Sequence, residues 1–435
     1  MAKSDKVLKR DKQIISPSYT RSIPFVIDRG MGWHVWDVDG KSYLDFSSGI
    51  AVMNIGHCNP DVVKAVKDQA EKLIHSASTD FYSDMIIDVA ERLQDVTPGS
   101  FKKKVFFTNS GTESNECALK LARWKKKKHR IISFIGSFHG RTFGSMTLSG
   151  SNALHKEHFG PLVPGITHIP FPYPYRPVFG NEKTCGDDTL AYLEEDILGK
   201  VVPENEVAAI MTEPIQGENG YIIPPADFLK KLQKFCRKHK FLLIVDEVQT
   251  GFGRSGKWFA SDVFGIEPDI VTLAKSIASG MPMGACVSRK EIMDWPKGAH
   301  ASTFSGNPIA CAAAKASIDY IKRNKVWKNA ERLGKHGLDF LKDLKEDFNR
   351  KHNRKFYIGD VRGQGLLLAL EFVKSRETKE PATKASEKIL NSCFKKGLVT
   401  LHAGESTVRL VPPLVIPKED FDKGLHILTD VLNKM

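Results

Sequence analysis

Residues Phe241 to Lys275 read FLLIVDEVQTGFGRSGKWFASDVFGIEPDIVTLAK. An apolar run, Phe241-Leu242-Leu243-Ile244-Val245, stops at Asp246-Glu247, and a second, Ile270-Val271-Thr272-Leu273, stops at Ala274-Lys275. Each run has the length and β-branched content of a fully buried strand. Each delivers an ionisable residue at its carboxyl end, the edge of an open α/β sheet where ligands bind. An acid and an amine brought together there point to chemistry on a ring or a carbonyl. Such a site needs a phosphate cradle, a stacking aromatic and substrate-holding arginines from the rest of the chain.

Further strands are predicted near residues 105, 132 and 209, most of them separated by helical segments, which is the β-α alternation of a parallel sheet. The strand near 105 runs into Asn109-Ser110-Gly111-Thr112-Glu113 and then a strongly helical segment. Free N–H groups there suit a phosphate, although Ser followed by Glu is equally the pattern of a capped helix start. Ile131 to Phe134 leads into Gly136-Ser137-Phe138-His139-Gly140-Arg141-Thr142. Phe138 could cover a flat ring and Arg141 could hold a carboxylate; a tight turn with one buried Phe and one surface Arg is the alternative. Val207 to Thr212 is a strand that ends in Glu213, with Gln216-Gly217-Glu218-Asn219-Gly220 as the following loop and a helix at 227–239.

Elsewhere the signals are plainer. Residues 1–30 are polar, with Pro17 and Pro24 interrupting regular structure, and read as an arm. Gly32 to Lys41 reads as a hairpin around an Asp-Gly turn, and Asp45 to His57 as a Gly-rich loop. Residues 60–96 are helical, 151–200 a long Pro-, His- and aromatic-rich surface excursion before a helix at 188–198, and 326–352 charged and amphipathic. From Phe356 onward, alternating strand and helix signals describe a smaller C-terminal α/β domain, with Arg409 on a short strand before Pro412-Pro413.

A chain of 435 residues allows two or three domains, and 41% hydrophobic with 26% charged residues is a globular composition. No apolar run approaches the ~18 residues needed to cross a bilayer, so no membrane association is expected. The start, MAKSDKVLKRDKQ, lacks the apolar region of a secretory signal. Seven scattered cysteines without a C-x-x-C pair favour reduced thiols in a cytoplasmic protein. The net charge of +13 is dispersed except at Lys102–Lys104 and at 125–130; the second run reads as a solvated helix end and not as a nucleic-acid patch. His155 and His158 lack a third ligand at suitable spacing, so no metal site is predicted.

Taken in order, NSGTESNECALKLAR, SFHGRT, MTEPIQGENG, IVDEVQTGFGRSG, TLAKSIASGMPMGA, STFSGNP and VRLVPPL resemble the class III aminotransferases. These are pyridoxal-phosphate enzymes of fold type I, and the resemblance runs from about Gly32 to the end. It implies a large, mostly parallel sheet domain with helices on both faces (66–325). A smaller α/β domain would come from the N-terminal segment (1–65) and the C-terminal segment (326–435). By the same resemblance, Lys275 would form the Schiff base with the cofactor and act as proton carrier. Asp246 would pair with the pyridine nitrogen, Gln249 would contact the 3-hydroxyl oxygen and Val248 would pack under the ring. Phe138 would stack over it, with His139 in the same loop. Ser110, Gly111 and Thr112 would bind the phosphate. Thr303 would reach the phosphate of a neighbouring subunit, which makes a homodimer or higher oligomer with shared sites the expected assembly.

The resemblance also suggests substrates, amino acids and 2-oxo acids. Arg409 would take the α-carboxylate of glutamate and 2-oxoglutarate, Glu213 would pair with Arg409 when an ω-amino substrate is bound, and Arg141 would hold the distal carboxylate. Ile50 matches 4-aminobutyrate aminotransferases, whereas Tyr82 resembles the ornithine pattern. The reading adopted is transfer from 4-aminobutyrate to 2-oxoglutarate through a two-stage cycle, giving succinate semialdehyde and L-glutamate. Ornithine δ-aminotransferase and acetylornithine aminotransferase are the runners-up. An amino-acid racemase using the same lysine and cofactor, and a non-catalytic binding protein, are the other readings.

Overall fold

A computed structural model describes residues 2–350 and 354–435. At its centre lies a seven-stranded sheet in the order Lys103–Thr108, Gly284–Arg289, Ile270–Leu273, Leu242–Asp246, Val207–Thr212, Arg130–Phe134, Ile166–Ile169. The five strands from Ile270–Leu273 outward to Ile166–Ile169 pair in parallel. Gly284–Arg289 runs antiparallel to both its neighbours. The expected α/β fold with a mostly parallel large sheet is present.

The apolar runs Leu242–Val245 and Val207–Met211 follow from burial on both faces. Leu242 and Ile244 pack with Cys117, Ala118 and Leu121 of the helix Gly111–Lys126. Leu243 and Val245, pointing the other way, pack with Phe228 and Leu232 of the helix Phe228–Lys238. Successive strand residues face opposite layers, so a strand between two helical layers is apolar on both sides along most of its length. Cutting one of these leucines to alanine would cost about 2–5 kcal/mol.

Two smaller sheets complete the molecule. Ile27–Met31, His34–Asp37 and Ser42–Asp45 form an antiparallel set, and the C-terminal strand Leu398–Val399 joins it in parallel, with Leu398 opposite Leu44. The other sheet is ordered Tyr357–Gln364, Leu367–Val373, Thr407–Leu410, Leu401–Ala403 and is antiparallel. The two ends of the chain therefore build the smaller part together, as expected.

Two local expectations need correction. The N-terminal arm contains the helix Lys3–Ile14, which buries no side chain; Pro17 and Pro24 lie beyond it and do not interrupt it. The 151–200 excursion holds the edge strand Ile166–Ile169, and its helix starts earlier, at Cys185–Tyr192, continuing as π-helix through Leu193–Val201. Four residues flanked by Pro and Gly carry too little periodicity to read as a strand. The amphipathic stretch is the helix Val326–Arg350, and positions 351–352 fall outside the described residues. The basic run does end a helix: Gly111–Lys126 stops at Lys127, which has φ +52°. No helix among the described residues is long and apolar enough to cross a membrane.

Candidate active site

The carboxyl ends of the central strands open into a cavity of about 460 Å3, within the range of small-molecule sites. Asp246 and Lys275 both line it. They do not pair with each other. Asp246 is buried, and its Oδ2 accepts from His139 Nδ1 at 2.8 Å and Asn115 Nδ2 at 2.8 Å, while Oδ1 accepts from the Val248 N–H at 3.0 Å. Asn115 also donates to the His139 carbonyl at 2.6 Å, and the His139 N–H to Ser149 Oγ at 2.8 Å. Three donors on one carboxylate fix its position and orientation at the cavity wall.

Lys275 makes no hydrogen bond or ion pair with any described residue. Burial pulls its amine below the ordinary lysine range, with Arg409 acting in the same direction and Asp246, Glu213 and Glu218 opposing. Its backbone lies at φ +49°, a left-handed conformation that costs a non-glycine residue about 1–2 kcal/mol. Four successive residues nearby, Ser48, Gly49, Ile50 and Ala51, also have positive φ (48°, 58°, 65° and 59°). Ser48 Oγ donates to the Val411 carbonyl at 2.6 Å, and Ser276 Oγ to the Ala51 carbonyl at 2.9 Å, which ties this turn to the residue after the lysine.

Glu247, the acid next to Asp246, has a structural task. It is fully buried and accepts from the N–H groups of Ala260 and Ser261 at 3.1 and 2.6 Å, from Ser261 Oγ at 2.7 Å and from the Thr250 hydroxyl. These bonds hold the 247–261 loop against the body and offset the burial that raises its pKa.

Ser110, Gly111, Thr112, Phe138, His139, Arg141, Glu213, Val248 and Gln249 line the same cavity. Ser110 caps the helix Gly111–Lys126, accepting from the Glu113 N–H at 3.3 Å, and Glu113 accepts in turn from the Asn109 N–H at 2.7 Å. Capping and anion binding coexist here, because a helix start leaves its first N–H groups without intrahelical acceptors. A Cβ on Gly111 would lie 2.9 Å from Val248 Cγ1, so a side chain at that position would meet the cavity floor. The Thr112 hydroxyl is bonded to Thr142 Oγ1 at 2.8 Å. Arg141 Nη2 lies 2.9 Å from His155 Nε2, and its guanidinium carbon is 5.6 Å from the Phe138 ring centre.

Ile50, Tyr82, Thr303 and Arg409 stand off the lining in the single chain. Ile50 is half exposed, Tyr82 fully exposed and Thr303 exposed, whereas Arg409 is buried. The expected Glu213–Arg409 pair is absent. Glu213 sits at the end of its strand, and its carboxylate turns back onto the N–H groups of Phe138 and Gly217, each at 3.0 Å. Arg409 Nη2 instead lies 3.5 Å from Glu218 Oε2. Glu218 lies on the Gly217–Gly220 loop, far enough past the strand to reach across. The sequence signal was the second acid of MTEPIQGENG, flanked by glycines and so on more extensible backbone than the first.

Burial raises the Glu213 carboxyl to about 7, with nearby Asp246 adding to the effect, His139 opposing it, and the two backbone bonds also opposing. A raised acid keeps its proton in the folded state while the unfolded chain releases it. Its contribution to stability is complete below about pH 4.5 and is lost as pH rises through about 7, on the order of 3 kcal/mol at most. Glu213→Gln should therefore melt progressively higher relative to the parent between pH 5 and pH 8. An unchanging difference in melting temperature across that range would remove the assignment.

The family described as aminotransferase class-III matches residues 15–432, and the chain belongs to it. Among curated relatives, the alanine/serine racemase of Pyrococcus horikoshii is 37% identical, covering 98% of this chain and 90% of that one. The acetylornithine aminotransferase of Archaeoglobus fulgidus is 38% identical over 97% of this chain and 99% of its own. A solved amine transaminase from an uncultivated Pseudomonas species, in its pyridoxal-phosphate-bound form, superposes with a TM-score of 0.88 at 30% identity, covering 97% of this chain and 98% of that one.

Proposed function

We propose that the cavity holds pyridoxal 5'-phosphate and that the protein transfers the amino group of an ω-amino acid, foremost 4-aminobutyrate, to 2-oxoglutarate. The residues fit this cofactor. Three buried polar atoms around the cavity, His139 Nε2, Gln249 Oε1 and Asn115 Oδ1, have no hydrogen-bond partner among the described residues, and buried polar groups are normally paired. Ser110, Gly111 and Thr112 would hold the phosphate, Asp246 the ring nitrogen, Gln249 the 3-hydroxyl, and Phe138 and Val248 the two ring faces. When bound, pyridoxal phosphate supplies an aldehyde that bonds to amines and a ring that accepts the electron pair left when a proton leaves the adjacent carbon.

The chain's own residues do the rest. Asp246, fixed by three donors, holds its carboxylate where the ring nitrogen would need a partner. Lys275, with its amine shifted toward the neutral form, takes the proton from the substrate carbon bearing nitrogen and returns it to the acceptor carbon. Thr303 on a neighbouring copy would complete the phosphate site, which makes the working unit a homodimer or larger.

The observation that carries the substrate reading is the loose Glu218–Arg409 contact. Arg409 is buried, its Nε and Nη1 have no partner among the described residues, and its ion-pair contact there is with a half-exposed side chain on a loop. Glu218 masks Arg409 while an ω-amino donor lacking an α-carboxylate is bound, and swings aside for glutamate or 2-oxoglutarate. Arg141 takes the distal carboxylate. Glu218→Gln is expected to lower kcat/KM for 4-aminobutyrate roughly tenfold while glutamate changes less than about threefold, since only the first needs the charge masked. Equal losses for both donors would count against the masking role.

Within that reading, Ile50 favours 4-aminobutyrate. The acetylornithine aminotransferase likeness and the Tyr82 match keep N-acetylornithine and ornithine in any substrate panel. Amino-acid racemization is the second reading, favoured by the 37% identity to a racemase.

A further inference from the structure

The PFPYPYRP stretch, residues 170–177, has no part in the chemistry above, yet it ends in a buried ionic cluster. Tyr173 donates its hydroxyl to Glu371 Oε2, and Arg176 Nε donates to Glu371 Oε1 at 2.7 Å. Arg362 Nη1 donates to Glu371 Oε2 and to Asp360 Oδ2, each at 2.8 Å. Glu371 and Arg362 are both buried, and a buried pair is tolerated only when its remaining donors and acceptors are satisfied. One remaining donor of Arg362 goes outside the cluster: Nε donates to the Gly220 carbonyl at 2.8 Å. Gly220 has φ +110°, and a Cβ there would lie 2.9 Å from Arg362 Nη2.

Sheet register shows why that contact matters. Arg362 is paired with Ala369, and Ala369 with Arg409. Directly opposed residues share a face of the sheet, so the two arginines stand on one face with a small side chain between them. The Gly217–Gly220 loop meets both. Its Gly220 carbonyl rests on Arg362, and its Glu218 carboxylate faces Arg409. The Glu218 carbonyl is held as well, accepting from the Gly404 N–H at 2.8 Å.

We propose that Arg362, oriented by Glu371 and the Tyr173–Arg176 segment, is a positioning residue that fixes the 217–220 loop so that Glu218 covers Arg409, and so sets the discrimination between ω-amino donors and glutamate. The proposal rests on the reading of Glu218 as the mask of Arg409. Arg362 does not line the cavity; it acts through a backbone carbonyl. A loosened loop leaves Arg409 uncovered, which penalises a donor without an α-carboxylate and spares one that brings its own.

The test is the ratio of kcat/KM for 4-aminobutyrate to that for L-glutamate in single half-reactions of the pyridoxal-phosphate-loaded protein. Arg362→Lys keeps a cation beside Glu371, but one ammonium cannot reproduce a fork that grips Glu371 and Gly220 at once. The ratio is expected to fall roughly fivefold or more, with glutamate changed less than about twofold. Glu371→Gln, which keeps the shape and removes the charge that orients Arg362, is expected to shift the ratio in the same direction and covers the case of a poorly folded lysine variant. An unchanged ratio in both, or parallel losses for both donors, overturns the proposal as a merely structural cluster. Glu218→Gln in the same assay separates the two ideas. If Glu218→Gln moves the ratio and the cluster variants do not, only the positioning role fails; if Glu218→Gln does not move it, the masking role fails and takes this proposal with it.

Discussion

Lys275→Ala is expected to give a folded protein whose amino transfer is slowed at least about a thousandfold, the scale on which a positioned proton carrier and covalent group contributes. The fold should survive, because Lys275 makes no hydrogen bond or ion pair with any described residue, and removing it relieves the burial of an amine. The backbone strain at φ +49° is the same for alanine. Burial favours the neutral, proton-accepting form of this amine at the cavity wall. A second signature accompanies the rate: borohydride should attach the cofactor covalently to the parent and not to the variant. Half-reactions with saturating amine, beside circular dichroism and melting curves, measure both. Undiminished turnover in a folded Lys275→Ala protein would refute the lysine assignment.

Asp246→Asn should be the next most damaging change, lowering the half-reaction rate about 10²–10³-fold, as loss of one preorganised electrostatic contact in a buried site does. The substitution keeps the side chain's shape and removes its charge. Its amide nitrogen would also confront two donors, Asn115 Nδ2 and His139 Nδ1, now 2.8 Å from the same carboxylate oxygen. Flipping the amide frees those contacts but turns the nitrogen toward the Val248 N–H, 3.0 Å from the other oxygen. Either way a buried donor is left without an acceptor, at about 1–3 kcal/mol. Stopped-flow half-reactions with L-glutamate read the loss, and a change smaller than threefold would show that the charge at Asp246 is dispensable.

The central sheet and the two ionisable strand ends were legible in the sequence because strands buried on both faces are mostly apolar, and the run Leu242 to Val245 stops sharply at Asp246. The cavity residues on loops beside those ends followed the same logic. What escaped had weaker signals. Ile166–Ile169 is a four-residue edge strand between prolines and glycines, too short to show a period. Gly284–Arg289 carries an apolar centre, but nothing in it tells antiparallel from parallel pairing. The acids were the harder problem. Asp246, Glu247, Glu213 and Glu218 are alike in composition, and their tasks differ by which donors the fold turns toward them. Glu247 closes a loop, Glu213 braces two backbones and Glu218 reaches Arg409, distinctions that depend on loop extension and not on residue type. Arg362 escaped for the same reason, since its partner Gly220 is 142 residues away.

The most direct test of the account is the fate of nitrogen. The purified protein, loaded with pyridoxal phosphate, is incubated with 15N-labelled 4-aminobutyrate and unlabelled 2-oxoglutarate, and the glutamate is analysed by mass spectrometry. Label appearing in L-glutamate, matched by an equal amount of succinate semialdehyde, is the predicted result. Glutamate free of label, together with inversion of L-leucine or L-alanine in the absence of any 2-oxo acid, would contradict the account and assign the site to racemization.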